Sequence, residues 1–261
     1  MTIIIINDCR DSNARGRQQA RVSALFGVVP VFVGVSHELE AAGNLIDALD
    51  ALGGEKGIIL ANVAPRDHRG KKWENGTPFG YFHVGSTLVV STVDGMTLSL
   101  VKKLKLAESV CVLDTAVSVE ALVKAGRVKK ELKKRIVESQ FRSFDFLPRL
   151  AAHLFEKGDI PYAPLPFENI SDIPPSVWHI DNFGNCKTTL FPEDVGFRPG
   201  NEVLTRFGLL RCYAHLRDVP DGQQAFIVGS SGLKERRFLE IVIQGGNAAR
   251  RFNVSHEDLV L

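Results

Sequence analysis

Residues 179–189 read HIDNFGNCKTT, with Asp181, Asn182, Phe183 and Asn185 crowded around Gly184. A plain turn needs Gly184 and one Asn, because those residues tolerate positive φ and bond locally to the backbone. It has no use for an aromatic ring flanked by polar groups. The same set can grip something flat and polar, with Phe183 as a stacking face and Asn185 as a two-way hydrogen-bonder for a heterocycle edge. Taken alone, the stretch leaves both readings open.

Two acids near the start form a second candidate. Asp8 and Asp11 follow an apolar strand-like run, a position where a carboxylate can accept hydrogen bonds from two neighbouring hydroxyls and so hold a ribose. The alternative is a helix cap in DSNARG, with Asp11 or Ser12 holding free backbone N–H groups. A third block spans residues 226–252, where Gly229–Gly232 and Gly245–Ala249 read as turns bracketing a strand at Phe238–Ile243. Such small residues suit either close approach of a ligand or a pair of barrel corners.

Other chemistries find no support. His37-Glu38 opens like a zinc-protease motif, but Ala41 stands where the second His is needed. The other histidines form no adjacent pair, so no metal is expected. No G-x-S-x-G elbow, P-loop or strand-following G-x-G-x-x-G is present. The basic run from Lys124 to Arg135 spreads its charge around a helix without interleaved aromatics, so it reads as a solvated face and not a nucleic-acid surface.

The elements that must position these groups alternate at first. TIIIIND, VPVFVGVS and KGIILANV read as strands, ARGRQQARVSALFG and HELEAAGNLIDALDALGG as helices, STLVVSTVDG and ESVCVLD as further strands, and residues 118–140 as one long helix. This order predicts an α/β domain over residues 1–165 with a mainly parallel sheet, whose ligands sit beyond the carboxyl ends of the strands. Pro161, Pro164, Pro166, Pro174 and Pro175 then mark a boundary. From 166 to 261 short strands separated by turns predict a smaller all-β, barrel-like domain.

Bulk properties are those of an ordinary globular protein, with 44% hydrophobic residues, 24% charged residues and a net charge of +2. MTIIIIND lacks a basic leader and soon meets acids, so it is expected to be a buried strand. Four dispersed cysteines and no membrane-length apolar run suggest reduced thiols in a soluble, cytoplasmic protein.

Taken in order, these blocks resemble the S-adenosylmethionine hydroxide adenosyltransferase family, which includes the fluorinases and chlorinases. INDCRD is similar to its first strand and acidic loop, and VSHELEAAGNLIDAL to its His-Glu segment and helix. FRSFDFLPRLAAHL is similar to its Phe-His-Gly-Arg-Asp-x-Phe-x-Pro segment. IDNFGNCKTT resembles its Ile-Asp-x-Phe-Gly-Asn signature, and SSGLKERRFLEIVIQGGNAA its Ser-x-Gly-x-Leu-Glu-Ile-Ala segment. The resemblance implies a homotrimer with the ligand between one subunit's N-terminal domain and a neighbour's C-terminal domain. It also implies roles. Phe183 would stack on adenine, Asn185 would bond its edge, Asp181 would face the methionine ammonium, Asp8 would hold the ribose, and Asp11 would assist at the methionine end. Ser230, Ser231, Asn247 and Ala248 would complete the pocket. The implied reaction is displacement at the ribose 5′ carbon by hydroxide or halide, without a cofactor; with water it gives adenosine and methionine.

The sequence departs from the family where an Asp, an Arg and a His handle the water. The segment after the third strand reads APRDH, so Ala64 stands at the Asp position; Lys71 aligns with the Arg and Arg142 with the His. The residues LKERR are also additional to the pattern. Asp67 and His68 either supply the missing acid and base from shifted positions, or the chain binds S-adenosylmethionine or another adenosine compound without turning it over.

Overall fold

The computed structural model describes residues 1–65 and 77–261, which cluster into two compact units, Met1–Asp172 and Ile173–Leu261. The first unit runs β1 (Thr2–Asn7), α1 (Ser12–Phe26), β2 (Val31–Gly34), α2 (Glu38–Leu52), β3 (Gly57–Asn62), β4 (Phe79–Val84), β5 (Thr87–Thr92), α3 (Ser99–Lys103) and β6 (Ser109–Leu113). It continues with α4 (Thr115–Lys124), α5 (Lys133–Val137), α6 (Arg142–Asp145), α7 (Leu147–Phe155) and β7 (Ala163–Pro166).

Its seven-stranded sheet has the order β2-β1-β3-β5-β4-β6-β7. The strands β2, β1, β3 and β5 are mutually parallel, while β4, β6 and β7 join antiparallel to their neighbours. The isoleucines of β1 explain its place. Ile3, Ile4, Ile5 and Ile6 are all buried, as a strand covered on both faces requires, and they lie between β2 and β3. Pro164 and Pro166 sit in β7, the edge strand, where a residue without an N–H leaves no ladder bond unmade inside the sheet.

Two local expectations need correction. Residues 118–140 are not one helix: α4 stops at Lys124, Gly126 takes φ +70°, and Arg127 N–H bonds back to Leu122 O, a closure that buries Val128. Propensity favoured continuing the helix, but an adjacent left-handed glycine gives the chain an exit and packing against the core takes it. The second correction is β4, whose FGYFHV was not anticipated as a strand and which forms a tight hairpin with β5 through Gly85-Ser86.

The second unit holds β8 (Val177–Ile180), β9 (Cys186–Thr188), β10 (Glu202–Thr205), β11 (Gly208–Tyr213), β12 (Gln224–Leu233), β13 (Arg236–Ile243) and a short helix α8 (Ala248–Phe252). Its six-stranded sheet has the order β10-β11-β12-β13-β9-β8. The last residues tie the two edge strands together: Val177 N–H donates to Asp258 O, and Arg206 N–H, just after β10, donates to Val260 O. That closure makes the sheet barrel-like. Inside, Phe191 stacks on Phe238 with centroids 4.7 Å apart, and Trp178 meets Phe238 edge-on. Among the described residues no helix is long and apolar enough to cross a membrane.

Candidate functional site

In the first unit the carboxyl ends of the parallel strands gather several polar groups. Asn7, fully buried at the end of β1, donates from Nδ2 to Gln18 Oε1 at 2.8 Å and accepts from Cys9 N–H on Oδ1 at 2.8 Å. Those bonds hold the acidic loop to α1. Half-buried Asp8 accepts the Ala64 N–H at 3.3 Å, and its own N–H reaches Asn62 O at 3.4 Å. The ends of β1 and β3 are thereby brought together, so the proposed ribose acid and the position where the family carries Asp are neighbours. Asp11 is exposed and caps α1, accepting from Asn13 N–H and Ala14 N–H at 3.0 Å each.

Two carboxylates to which the sequence assigned no role lie at the same edge. Glu38 is buried and accepts the Met96 N–H at 2.6 Å, while buried Glu40 accepts the Ser36 N–H at 2.6 Å. Gly95 makes room for the first of these: its φ is +84°, and a Cβ there would overlap Glu38 Oε1. His37 caps α2 by accepting the Glu40 N–H on Nδ1. The signal available in the sequence was the pairing of an acid-rich helix start with the glycine of VDGM, and it becomes readable only once the segment after β5 is known to face α2.

Arg142 approaches this edge from α6. Its Nη2 donates to Thr77 O at 2.7 Å and its guanidinium lies 5.1 Å from the Phe79 ring centroid. Thr77 Oγ1 accepts the Asp94 N–H at 3.1 Å, which ties Arg142 to the segment following β5. Burial lowers the Arg142 pKa from its ordinary value, yet a guanidinium starts so high that the group remains a cation at neutral pH. Asp67, His68 and Lys71 lie outside the described residues.

In the second unit the DNFGN loop follows β8. Asp181 organises it: Oδ1 accepts the N–H groups of Phe183 and Asn185, both at 2.9 Å, and Oδ2 accepts Asn185 Nδ2 at 3.0 Å. Asp181 N–H in turn reaches Asn185 O, closing the turn at Gly184 with φ +87°. Phe183 is left at the tip with 69% of its surface exposed. The turn reading is met, since the acid and amide build the loop; Asn185 Nδ2 is engaged within it, and the ring alone is left exposed.

GGNAA packs against this loop. Asn247 accepts the Arg250 N–H on Oδ1 and so caps α8, its side chain lies over Gly184, and Ala249 N–H donates to Gly184 O at 2.9 Å. Ala248 is fully buried behind them. Gly229–Gly232 is not a turn but a bulge within β12, where the register against β13 shifts between Val228 and Gly232. Ser230 is exposed, while buried Ser231 accepts from Lys187 Nζ. Lys187 stands opposite buried Glu240 in the ladder, and Gly229 lacks the Cβ that would overlap the Glu240 carboxylate. Neither Lys187 nor Glu240 was anticipated. The extra LKERR residues lengthen the β12–β13 hairpin, and Arg236 anchors its tip by an ion pair to Glu193 at 2.7 Å. Among the described residues no three His, Cys, Asp or Glu side chains gather as a metal-ligand set.

Residues 175–261 match the family model described as the SAM hydroxide adenosyltransferase C-terminal domain. No curated protein matches the chain. Among solved structures, the chain is similar to an uncharacterized conserved protein from Thermotoga maritima, with TM-score 0.67, 16% identity and 98% of each chain covered. It is also similar to a conserved hypothetical protein from Thermus thermophilus, with TM-score 0.64, 19% identity, 100% of this chain and 99% of the other covered. At such identities the likeness shows a shared fold.

Proposed function

With its C-terminal unit a domain of the S-adenosylmethionine hydroxide adenosyltransferase family, we propose that the chain binds S-adenosylmethionine and cleaves it at the ribose 5′ carbon, with water or hydroxide as nucleophile. The observation that carries the reading is the DNFGN loop, whose exposed aromatic ring stands on a frame held by Asp181 and Asn247. Phe183 then stacks on adenine, Asp8 accepts the ribose hydroxyls, and Ser230 lies within the β12 bulge beside the Gly229 that faces Glu240. In the reaction the water oxygen bonds to C5′ as the C5′–S bond breaks. The bonding pair goes to the sulfonium sulfur, methionine leaves as a neutral thioether, and the water proton passes to a base. The substrate brings its own leaving group, so alignment of the nucleophile and exclusion of bulk water are the main demands on the protein. Asp67 and His68, with Lys71, are proposed to serve the water; Arg142 holds its proton and orients without accepting one. A homotrimer in the cytoplasm is part of the same proposal.

A second reading is favoured by Ala64 and Arg142. The first has no proton-transfer group, the second is no base at physiological pH, and a binding protein that senses or stores S-adenosylmethionine needs neither. Incubation with S-adenosylmethionine, followed by chromatography for adenosine and methionine with and without added halide, separates the two. Equimolar adenosine and methionine without halide support the enzyme. Calorimetric binding without products supports the binding protein, and appearance of activity in the Ala64→Asp, Arg142→His double variant would then identify lost chemistry. Absence of binding overturns both.

A further inference from the structure

On the first unit, Arg17 and Arg21 lie one helical turn apart on α1 and share one aromatic platform, their guanidinium carbons 4.6 and 4.3 Å from the Phe144 centroid. Arg149 of α7 stands close enough to Arg21 and Arg135 for their charges to repel, and its Nε is buried without a hydrogen-bond partner among the described residues. One carboxylate serves this group: Asp145 lies 3.9 Å from Arg135, and its Oδ2 also accepts from Ser139 Oγ at 2.7 Å. Among the described residues no other ion pair reaches any of the four arginines.

Four guanidiniums against one shared carboxylate repel one another, and a buried donor without an acceptor costs free energy. The first cost falls if an oxyanion sits among them. We propose that this cluster is a binding site for a small, multiply charged phosphate compound of the polyphosphate type. Guanidinium forks match phosphate oxygens in pairs, and the stacking on Phe144 holds two of those forks in place before a ligand arrives. Several negative charges are required to offset the excess of cations, so a single monoanion is a poor occupant. Two guanidiniums already lie over the Phe144 ring, so that ring is poorly placed to stack on a nucleobase, unlike the aromatics of a single-strand nucleic-acid platform. The site is separate from the S-adenosylmethionine reading and does not depend on it.

The test is calorimetric titration of the full chain with inorganic tripolyphosphate and with ATP at low ionic strength, together with a single-stranded oligonucleotide of matched charge. The expected result is saturable binding of both small polyphosphates that weakens with added salt. Arg21→Ala is expected to reduce it about tenfold or more, with Arg21→Lys falling between. Arg17 is exposed and Arg21 half-buried, and among the described residues no backbone group depends on either side chain, so Arg17→Ala/Arg21→Ala is expected to fold and to lose the rise in melting temperature that tripolyphosphate gives the wild type. Binding unchanged in that double variant, no saturable binding, or binding of the oligonucleotide alone would each overturn the proposal.

Discussion

Gly184 and Asn247 are built as a pair: the backbone at Gly184 has φ +87°, and the space its missing side chain leaves is filled by the Asn247 amide. Through this contact the DNFGN loop and the cap of α8, more than sixty positions apart, become one surface. Asn247 also uses Oδ1 to hold the Arg250 N–H, so one side chain caps a helix and supports a loop.

Gly184→Ala is expected to lower stability by about 1–3 kcal/mol, from a strained φ and from overlap with Asn247. Asn247→Ala should cost about 1 kcal/mol through the lost cap. Because the second change removes the atoms that the first collides with, the double variant should be less destabilised than the two losses added together. Urea titrations of all four proteins measure this, and strict additivity would remove the contact as a source of coupling.

Phe183→Ala should separate binding from folding. The ring is 69% exposed, so stability should change by no more than about 0.5 kcal/mol. If the ring stacks on adenine, affinity for S-adenosylmethionine should fall by about 1–3 kcal/mol, with Phe183→Tyr retaining most of it. An affinity equal to wild type in the Ala variant would take the ring out of the site.

Asp8→Ala removes an acceptor for the Ala64 N–H as well as the proposed ribose acid. Each charge-assisted bond to a hydroxyl is of order 1.5–3 kcal/mol, so affinity for S-adenosylmethionine and for adenosine should both drop at least about tenfold. Selective loss of one ligand, or of neither, contradicts a shared ribose contact.

Cys186 gives a pH signature. Burial, assisted by the nearby negative charge of Asp181, pushes its thiol from 9.0 up to about 12. The folded state thus holds the proton more tightly than the unfolded chain. This contribution to stability is complete below pH 9 and is lost as the pH rises from 9 toward 12. Denaturant midpoints measured between about pH 8 and pH 11 should fall less steeply for Cys186→Ser or Cys186→Ala than for the wild type. Thiol reagents at about pH 8 should also leave Cys186 unmodified until the protein unfolds.

The amino-acid order by itself determined what depends on near neighbours. Four consecutive isoleucines require a strand covered on both faces, and His37, Asp11 and Gly53 bound helices because capping is settled within one turn of the chain. The two compact units divide between Asp172 and Ile173, seven residues after the boundary expected at 165/166. Asp8, Phe183 and Asn247 could be singled out because each is a chemistry-bearing residue at the end of an element. What the tertiary structure decided is which distant groups share a space. Glu38 meets Gly95, Glu240 meets Gly229, and Asp8 meets the backbone of Ala64. Glycine there answers to a carboxylate far along the chain or on the facing strand, and nothing in its local sequence names that partner. The bulge at Gly229–Gly232 and the break after α4 have the same origin. Local patterns permit several backbones, and the one that is adopted is chosen by long-range burial, which a short window of sequence does not contain.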